Sequence, residues 1–468
     1  MRGAFALLSI ALALSGCAVG PNYVRPASSP QQNGAFVEPT DTALVSPAAA
    51  ADRWWKLFED PALDALIERA LARNTDIRVA AANLLKARAI VGEARNRLLP
   101  QTDASAQYTR QRARVQSGQP GQGQAVEFDY FSVGFDASYE VDLFGGVSRS
   151  IEAARADSEA AKASLDAARI AVAAETARTY AQACSYAEQA DVARETLALQ
   201  RRTLDFTQKL FEAGRGTQRD VARATVLAEQ VAAQVPQLEA ERRASLYALA
   251  TLTGDPPALV DAAAAKCARP PKIRSAIPVG DGAALLKRRP DVARAERTLA
   301  ADTARIGVAT AELFPSIRLL GSVGLGANRL GDLTDSASSS FSIGPLISWT
   351  FPNIGAARAR IAQARAQTQA SLATFDGTVL QALQETEQAL ARYAGAVDRQ
   401  AALNRAEVAS SKAAALTRAR FQEGADSFLD LLDAERSLAD ARTALAQANG
   451  NVAEAQVSLF KALGGGWQ

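Results

Sequence analysis

Phe131-Ser132-Val133-Gly134-Phe135-Asp136-Ala137-Ser138-Tyr139-Glu140-Val141-Asp142-Leu143-Phe144 is the stretch on which the reading of this chain turns. Phe131, Val133, Phe135, Ala137, Tyr139, Val141 and Leu143 alternate without a slip with Ser132, Gly134, Asp136, Ser138, Glu140 and Asp142. A period of two is that of a strand with one apolar and one wet face. At ~3.3 Å per residue such a strand, tilted, reaches across a hydrocarbon core of ~30 Å. A second copy runs from Phe341 to Phe351, with Phe341, Ile343, Ile347, Trp349 and Phe351 on one face and Ser342, Gly344, Ser348 and Thr350 on the other. Around both copies lie long Ala-rich segments of helical character with little resemblance to membrane-embedded sequence. The contrast predicts a mixed α+β membrane protein.

Composition narrows the field. With 52 basic against 50 acidic residues in 468, nothing marks the chain as a polyelectrolyte partner of nucleic acid. Histidine is absent, which removes the commonest general base and transition-metal ligand. The only Met is the initiator, so a thioether relay for soft metals is missing as well. There is no phosphate-binding Gly loop, no CxxC pair and no nucleophile beside a base, so neither enzyme activity nor a bound cofactor is expected. Gly145-Gly146 and Gly464-Gly465-Gly466 read as a helix start and a frayed tail.

The N-terminus carries Arg2, an apolar run from Phe5 to Leu14, and then Leu14-Ser15-Gly16-Cys17. This is a secretory signal over 1–16, too short to span as a helix. Small residues directly before a Cys resemble the bacterial lipobox, which would leave Cys17 as an acylated first residue carrying palmitate or a similar chain. The plainer reading is an ordinary signal peptide with an incidental Cys. Ala18 follows, not the Asp that favours inner-membrane retention, and this points to the outer membrane. Beyond Cys17 no apolar run reaches the roughly 18 residues of a spanning helix. Any crossing must be made by strands, and an open sheet in lipid would leave edge N–H and C=O groups unpaired.

Residues 17–52, rich in Pro, Ser, Gln and Ala, read as a lipidated tether. A first set of elements fills 53–254: helices to Pro100, a strand pair at about 101–112 and 127–144, and long helices at about 147–213 and 217–253. A Pro-containing linker covers 255–284. A second set fills 285–463, with strands at about 316–327 and 340–352 and helices at about 356–423 and 427–462, leaving 464–468 as a tail. The two sets match each other. Asp76, Gly92, Ala94 and Pro100 recur as Asp291, Gly307, Ala309 and Pro315, displaced by 215 positions. Phe131, Gly134, Phe211, Gly214, Asp220 and Ala224 recur as Phe341, Gly344, Phe421, Gly424, Asp430 and Ala434, displaced by 210. The difference falls in the Gly/Gln-rich stretch 117–125, where an exposed hairpin loop tolerates it. The chain thus reads as two internal structural repeats.

The helix over 147–213 contains neither Pro nor Gly and at 1.5 Å per residue extends roughly 100 Å. Polar helices of that length must lie in a coiled-coil-like array. Four strands make a strip with two open edges. Symmetric closure by several chains is the available remedy, and three copies would give a twelve-stranded barrel.

Duplicated strand pairs, a lipobox-like Cys17 and helices about three times longer than a membrane is thick resemble the TolC-like outer-membrane efflux channels, in their lipoprotein branch. The resemblance runs from Gly20-Pro21-Asn22-Tyr23 and Trp54-Trp55 to Leu463-Gly464. It is most specific at Arg288-Arg289-Pro290-Asp291-Val292 leading to Ile306-Gly307-Val308-Ala309, and at Phe421-Gln422-Glu423-Gly424 leading to Phe428-Leu429-Asp430-Leu431-Leu432-Asp433-Ala434. It implies a homotrimer: one shared barrel in outer-membrane lipid, continued by a helical cylinder across the periplasm. A periplasmic adaptor and an inner-membrane pump would dock at the far end. The two tight turns, Phe211 to Asp220 and Phe421 to Asp433, would form the periplasmic tip, with Gly214 and Gly424 reversing the helices. Asp430 and Asp433 match carboxylates that ring the closed entrance in the family, and three chains would bring six such charges together. Read from the residues alone, both could as well solvate a helix end. The chain departs from the pattern at Asp426 and Phe421, where family members can carry an Arg and an aromatic hydroxyl. Asp220 is kept, and Arg215 and Arg219 lie in the first turn, so a swapped ion pair of Arg219 or Arg215 with Asp426 is expected. Cys184 lies ~44 Å along its helix from the turn, and the returning helix runs ~55 Å toward the linker with Cys267. The two could meet as a disulfide or remain two free thiols.

Two rival roles remain at this level. A lipid-anchored coiled-coil spacer would need no lipid-facing row of Phe, Tyr and Trp. A protein-secretion exit duct would share the whole architecture, whereas the Arg-Arg-Pro-Asp segment resembles the drug-pump type, a passive duct for multidrug or other small-molecule export.

Overall fold

A computed structural model describes residues 18–27, 29–38, 44–48, 51–116, 123–352 and 354–465. The signal segment, Cys17, the loop at 117–122 and the last three residues lie outside these. The helices are α1 (Pro61–Arg73), α2 (Thr75–Asn96), α3 (Gly146–Glu212), α4 (Gln218–Leu252), α5 (Gly282–Arg288), α6 (Pro290–Ala311), α7 (Ile354–Gln422) and α8 (Phe428–Ala462). The strands of the larger sheet are β1 (Gln101–Gln116), β2 (Gly123–Val141), β3 (Ser316–Ala327) and β4 (Ser339–Ser348), and a two-residue parallel pair joins Val45–Ser46 to Ile277–Pro278. Among the described residues no helix is long and apolar enough to cross a membrane. The chain divides into two compact units, one formed by residues to 26, 84–161 and 295–375, the other by 27–83, 162–294 and 376 onward.

The first unit holds a four-stranded antiparallel sheet in the order β1-β2-β3-β4, with β1 and β4 at its edges. Cross-strand partners share a face, so the register sorts side chains without ambiguity. One face carries the rows Tyr108–Phe131–Ala327, Ala104–Phe135–Val323–Phe341, Tyr139–Leu319 and Val141–Ile317–Ile347. The other carries Ser105–Gly134–Gly324–Ser340 and Asp103–Asp136–Ser322–Ser342. Leu320 and Leu346 break the pattern by standing on this second face. On the apolar face the row beyond Tyr108 turns ionic, with Arg110 opposite Asp129 and Arg112 opposite Glu127.

A side chain that captures the backbone sets one strand end. β2 ends at Val141 because the Asp142 carboxylate accepts from the amides of Val147 (2.9 Å) and Ser148 (2.7 Å), starting α3. Pro345 lies inside β4, which its edge position permits.

The second unit carries the main core. Asp60 caps α1 by accepting from Ala62 and Leu63, with Pro61 in the first turn, and Leu63, Leu66, Ile67 and Ala70 turn inward at helical spacing. Trp54, Trp55 and Phe58 fill the space beside them, and Trp54 stacks on Phe460 of α8 at 5.1 Å. The buried face of α3 is mostly small, with Ala173, Ala177, Cys184, Ala187, Ala190 and Ala193, and then turns polar at Thr196, Gln200, Thr203 and Thr207. Pro236 sits inside α4 without ending it. A disulfide joins Cys184 of α3 to Cys267, with Cα atoms 5.1 Å apart.

Candidate functional site

Two helix-to-helix turns, α3 to α4 and α7 to α8, are built alike. In each a glycine takes a left-handed conformation, Gly214 at φ 70° and Gly424 at φ 76°. The next amides fold back, Arg215 N to Leu210 O at 2.8 Å and Ala425 N to Arg420 O at 2.9 Å. These are the bonds of a Schellman-type helix end, for which a residue without Cβ is preferred. A capping box then starts the next helix: Thr217 with Asp220, and Ser427 with Asp430. Three rings cluster at the second turn, Phe421 lying 5.9 Å from Phe206 and 6.0 Å from Phe428. Phe211, its counterpart in the first turn, is half exposed.

The acidic residues of the turns divide by task. Asp220 and Asp430 each accept from the backbone amide and hydroxyl of their own cap, so both serve helix ends in this chain. The Ser427 hydroxyl and amide hold the Asp430 carboxyl below the usual range. Asp426 bonds Arg420 at 2.9 Å. This corrects the expected partner: neither Arg219 nor Arg215 takes Asp426, because the left-handed Gly424 folds Asp426 back toward the end of its own helix, where Arg420 is waiting. Asp433 instead lines a groove of about 520 Å³ between α4 and α8, with Arg219, Arg223, Leu429, Leu432 and Arg436.

Two turns back from the loop lies a cluster that the sequence reading missed. Glu435 of α8 has no exposed surface; its carboxylate accepts from Arg418 of α7 at 2.9 Å and from Thr203 of α3 at 3.0 Å. The signal was present, since Glu435 falls between Leu431 and Leu438 on the apolar stripe of α8, where a charge requires a partner. Farther up, Asn449 joins Lys272 (2.8 Å), Gln400 (2.6 Å) and Glu188 (2.8 Å). Burial raises the Glu188 carboxyl above its ordinary range and lowers Lys272.

These turns reverse long helices and present paired acidic and basic side chains. The family model for outer membrane efflux protein matches residues 66–255 and 283–465. Nodulation protein T of Rhizobium leguminosarum bv. trifolii is 32% identical over 435 residues, covering 92% of this chain and 90% of that protein. The pyoverdine export outer membrane protein OpmQ of Pseudomonas aeruginosa is 31% identical over 453 residues, covering 93% of this chain and 94% of its own. The structure of the outer-membrane channel OprN superposes with a TM-score of 0.89 at 37% identity, across 96% of this chain and all (100%) of that one. Apolar strands, paired helical turns and these matches together lead to one conclusion: the chain belongs to the outer membrane efflux protein family, whose members are conduits and not enzymes.

Proposed function

We propose that this outer-membrane efflux protein works as a trimer, three chains joining β1 to β4 of the next to close a twelve-stranded barrel that serves as a passive duct for small molecules. The carrying observation is that β1 and β4 are unpaired edges of a sheet with one continuous apolar face. From Val141 to Phe131 that face runs ~33 Å along the strand, which at a tilt near 40° is a band of ~25 Å, the height of lipid-facing bands in such barrels. An edge inside lipid is intolerable, and a neighbouring edge removes it. The matching order α2-β1-β2-α3-α4 and α6-β3-β4-α7-α8 supports two internal repeats.

The turns around Gly214 and Gly424, with Phe211 and Phe421, form the surface for a periplasmic adaptor, through which an inner-membrane pump supplies the energy. Asp220, Asp430 and Asp433, with Arg219 close by, ring the entrance there. Acylation at Cys17 adds a lipid anchor and no other prosthetic group is required. Single cysteines along β1 and β4, oxidised in membranes, should give covalent ladders up to trimer, and the purified protein should open channels in planar bilayers. Monomeric material that conducts in no lipid would overturn the proposal.

A further inference from the structure

The eight residues after Cys17 are held by more than a tether needs. Ala18 rests on Gly145, where a Cβ would come within 2.6 Å of the Ala18 Cα. Val19 N donates to Phe144 O at 3.2 Å. Gly20, at φ 93°, lies against Gly307, whose own Cβ would fall 2.8 Å from Val19 O and 2.7 Å from Arg149 Cγ. Arg149 of α3 is buried at this point, and its guanidinium reaches Val19 O (3.3 Å), Gly20 O (3.4 Å), the Asn22 side-chain oxygen (2.7 Å) and Glu152 (2.7 Å). Farther along, Tyr23 packs on Ala156, Ala300 and Ala301, donates to Glu296 at 3.3 Å and lies 5.5 Å beneath the Arg297 guanidinium. Burial and the Glu296 carboxylate push the Tyr23 hydroxyl up to about 12, so it stays a donor. Arg25 closes the run on Glu296 at 3.2 Å.

Burying a guanidinium is costly unless its donors are used, and here three of the four contacts are spent on a segment well over a hundred positions away in sequence. Gly145 and Gly307, distant from one another in sequence, both leave room for the same peptide. We infer that Arg149, with Gly145 and Gly307, forms a peptide seat for residues 18–25, fixing the anchor residue beside the end of β2 so that lipid and sheet are held at one height. This rests on the reading that Cys17 is acylated and the sheet lies in the membrane. The next held element is the short helix Pro30–Asn33, so with 18–25 unseated about 12 residues would separate Cys17 from it, a coil with an end-to-end distance of ~19 Å. Seated, the anchor precedes Ala18 by one peptide bond.

The test is limited chymotrypsin digestion of the full-length detergent-extracted protein, following cleavage after Tyr23 by mass spectrometry. The wild type should resist. Arg149→Met, which keeps the bulk and removes the donors, and Gly307→Val, which closes the seat from the other side, should be cut at least tenfold faster and shed an acylated fragment, with helical circular dichroism retained. Asn22→Ala, on the exposed segment itself and unable to unfold the body, should be cut several-fold faster. Rates equal to wild type in Arg149→Met and Asn22→Ala would overturn the seat. A fragment released faster but carrying no acyl chain would instead overturn the lipid reading on which the fixed height depends.

Discussion

Arg418→Met is the substitution for which the structure gives the sharpest expectation. Glu435 is fully buried, and besides Arg418 its carboxylate has the Thr203 hydroxyl as a donor. Removing one partner of a buried pair costs about 3–5 kcal/mol, because the remaining charge stays without compensation. Here the Arg418 side chain is 36% exposed, so water can reach part of the vacated space and the loss should shrink to about 2–3 kcal/mol. At about 1.4 kcal/mol per tenfold, local opening of α8 becomes some 30- to 150-fold more frequent. Amide hydrogen exchange at Leu431 to Leu438, compared with Val452 to Leu459 as an internal reference, reads this directly on the assembled protein. Arg418→Met combined with Glu435→Leu removes the charge as well as its partner, and protection should return to within about threefold of wild type. If the single variant exchanged at the wild-type rate, or if the double variant were no better protected than the single, the pair would not be what holds these helices together.

Three other expectations concern the disulfide, a buried carboxyl and a turn glycine. Replacing Cys184 and Cys267 by Ser opens a loop with a sequence separation of 83, for which chain entropy predicts a loss of about 4–5 kcal/mol; urea unfolding followed through the buried Trp54 and Trp55 would measure it. Glu188 binds its proton more tightly when folded than the ordinary value of 4.5, so the folded state holds more protons than the unfolded one above that pH, and stability should fall as pH rises through the raised value. Lys272 and Arg269 face it and temper the effect, and Glu188→Gln, which can still accept from Asn449, should flatten the slope in a series of melts between pH 4 and 7. A Cβ added at Gly424 meets no neighbour within 4 Å, so the cost of Gly424→Ala is the left-handed backbone alone, about 1–2 kcal/mol, with Gly424→Asn losing less; differential scanning of the two variants separates them.

The alternation from Phe131 to Leu143 makes the sheet legible in the sequence, because a period of two is a local property of the strand. Its boundaries were less so. The strand begins at Gly123 and not at the expected 127, because hairpin pairing with β1 extends it, and it ends at Val141 and not at 144 because Asp142 serves the next helix. Helix reversal at Gly214 and Gly424 could be read from residue type. Which arginine meets Asp426 could not, since that depends on the direction in which the chain leaves the turn. Charge counting likewise passed over Arg418 and Glu435, which lie 17 positions apart on separate helices and meet only after the hairpin folds. The seat around Arg149 escaped for the same reason: its halves are more than a hundred residues apart.

The sheet's second face has a consequence of its own. Ser132, Gly134, Ser322, Gly324, Ser340, Ser342 and Gly344 give it patches of hydroxymethyl and bare peptide, with Asp103, Asp136, Leu320 and Leu346 standing among them. In the duct proposed above this face would be the inner wall, and a wall so mixed offers a passing solute no single chemistry to lodge on. Traffic along it would be sorted by whatever loads the far end, so changes there should alter throughput far more readily than they alter what is exported.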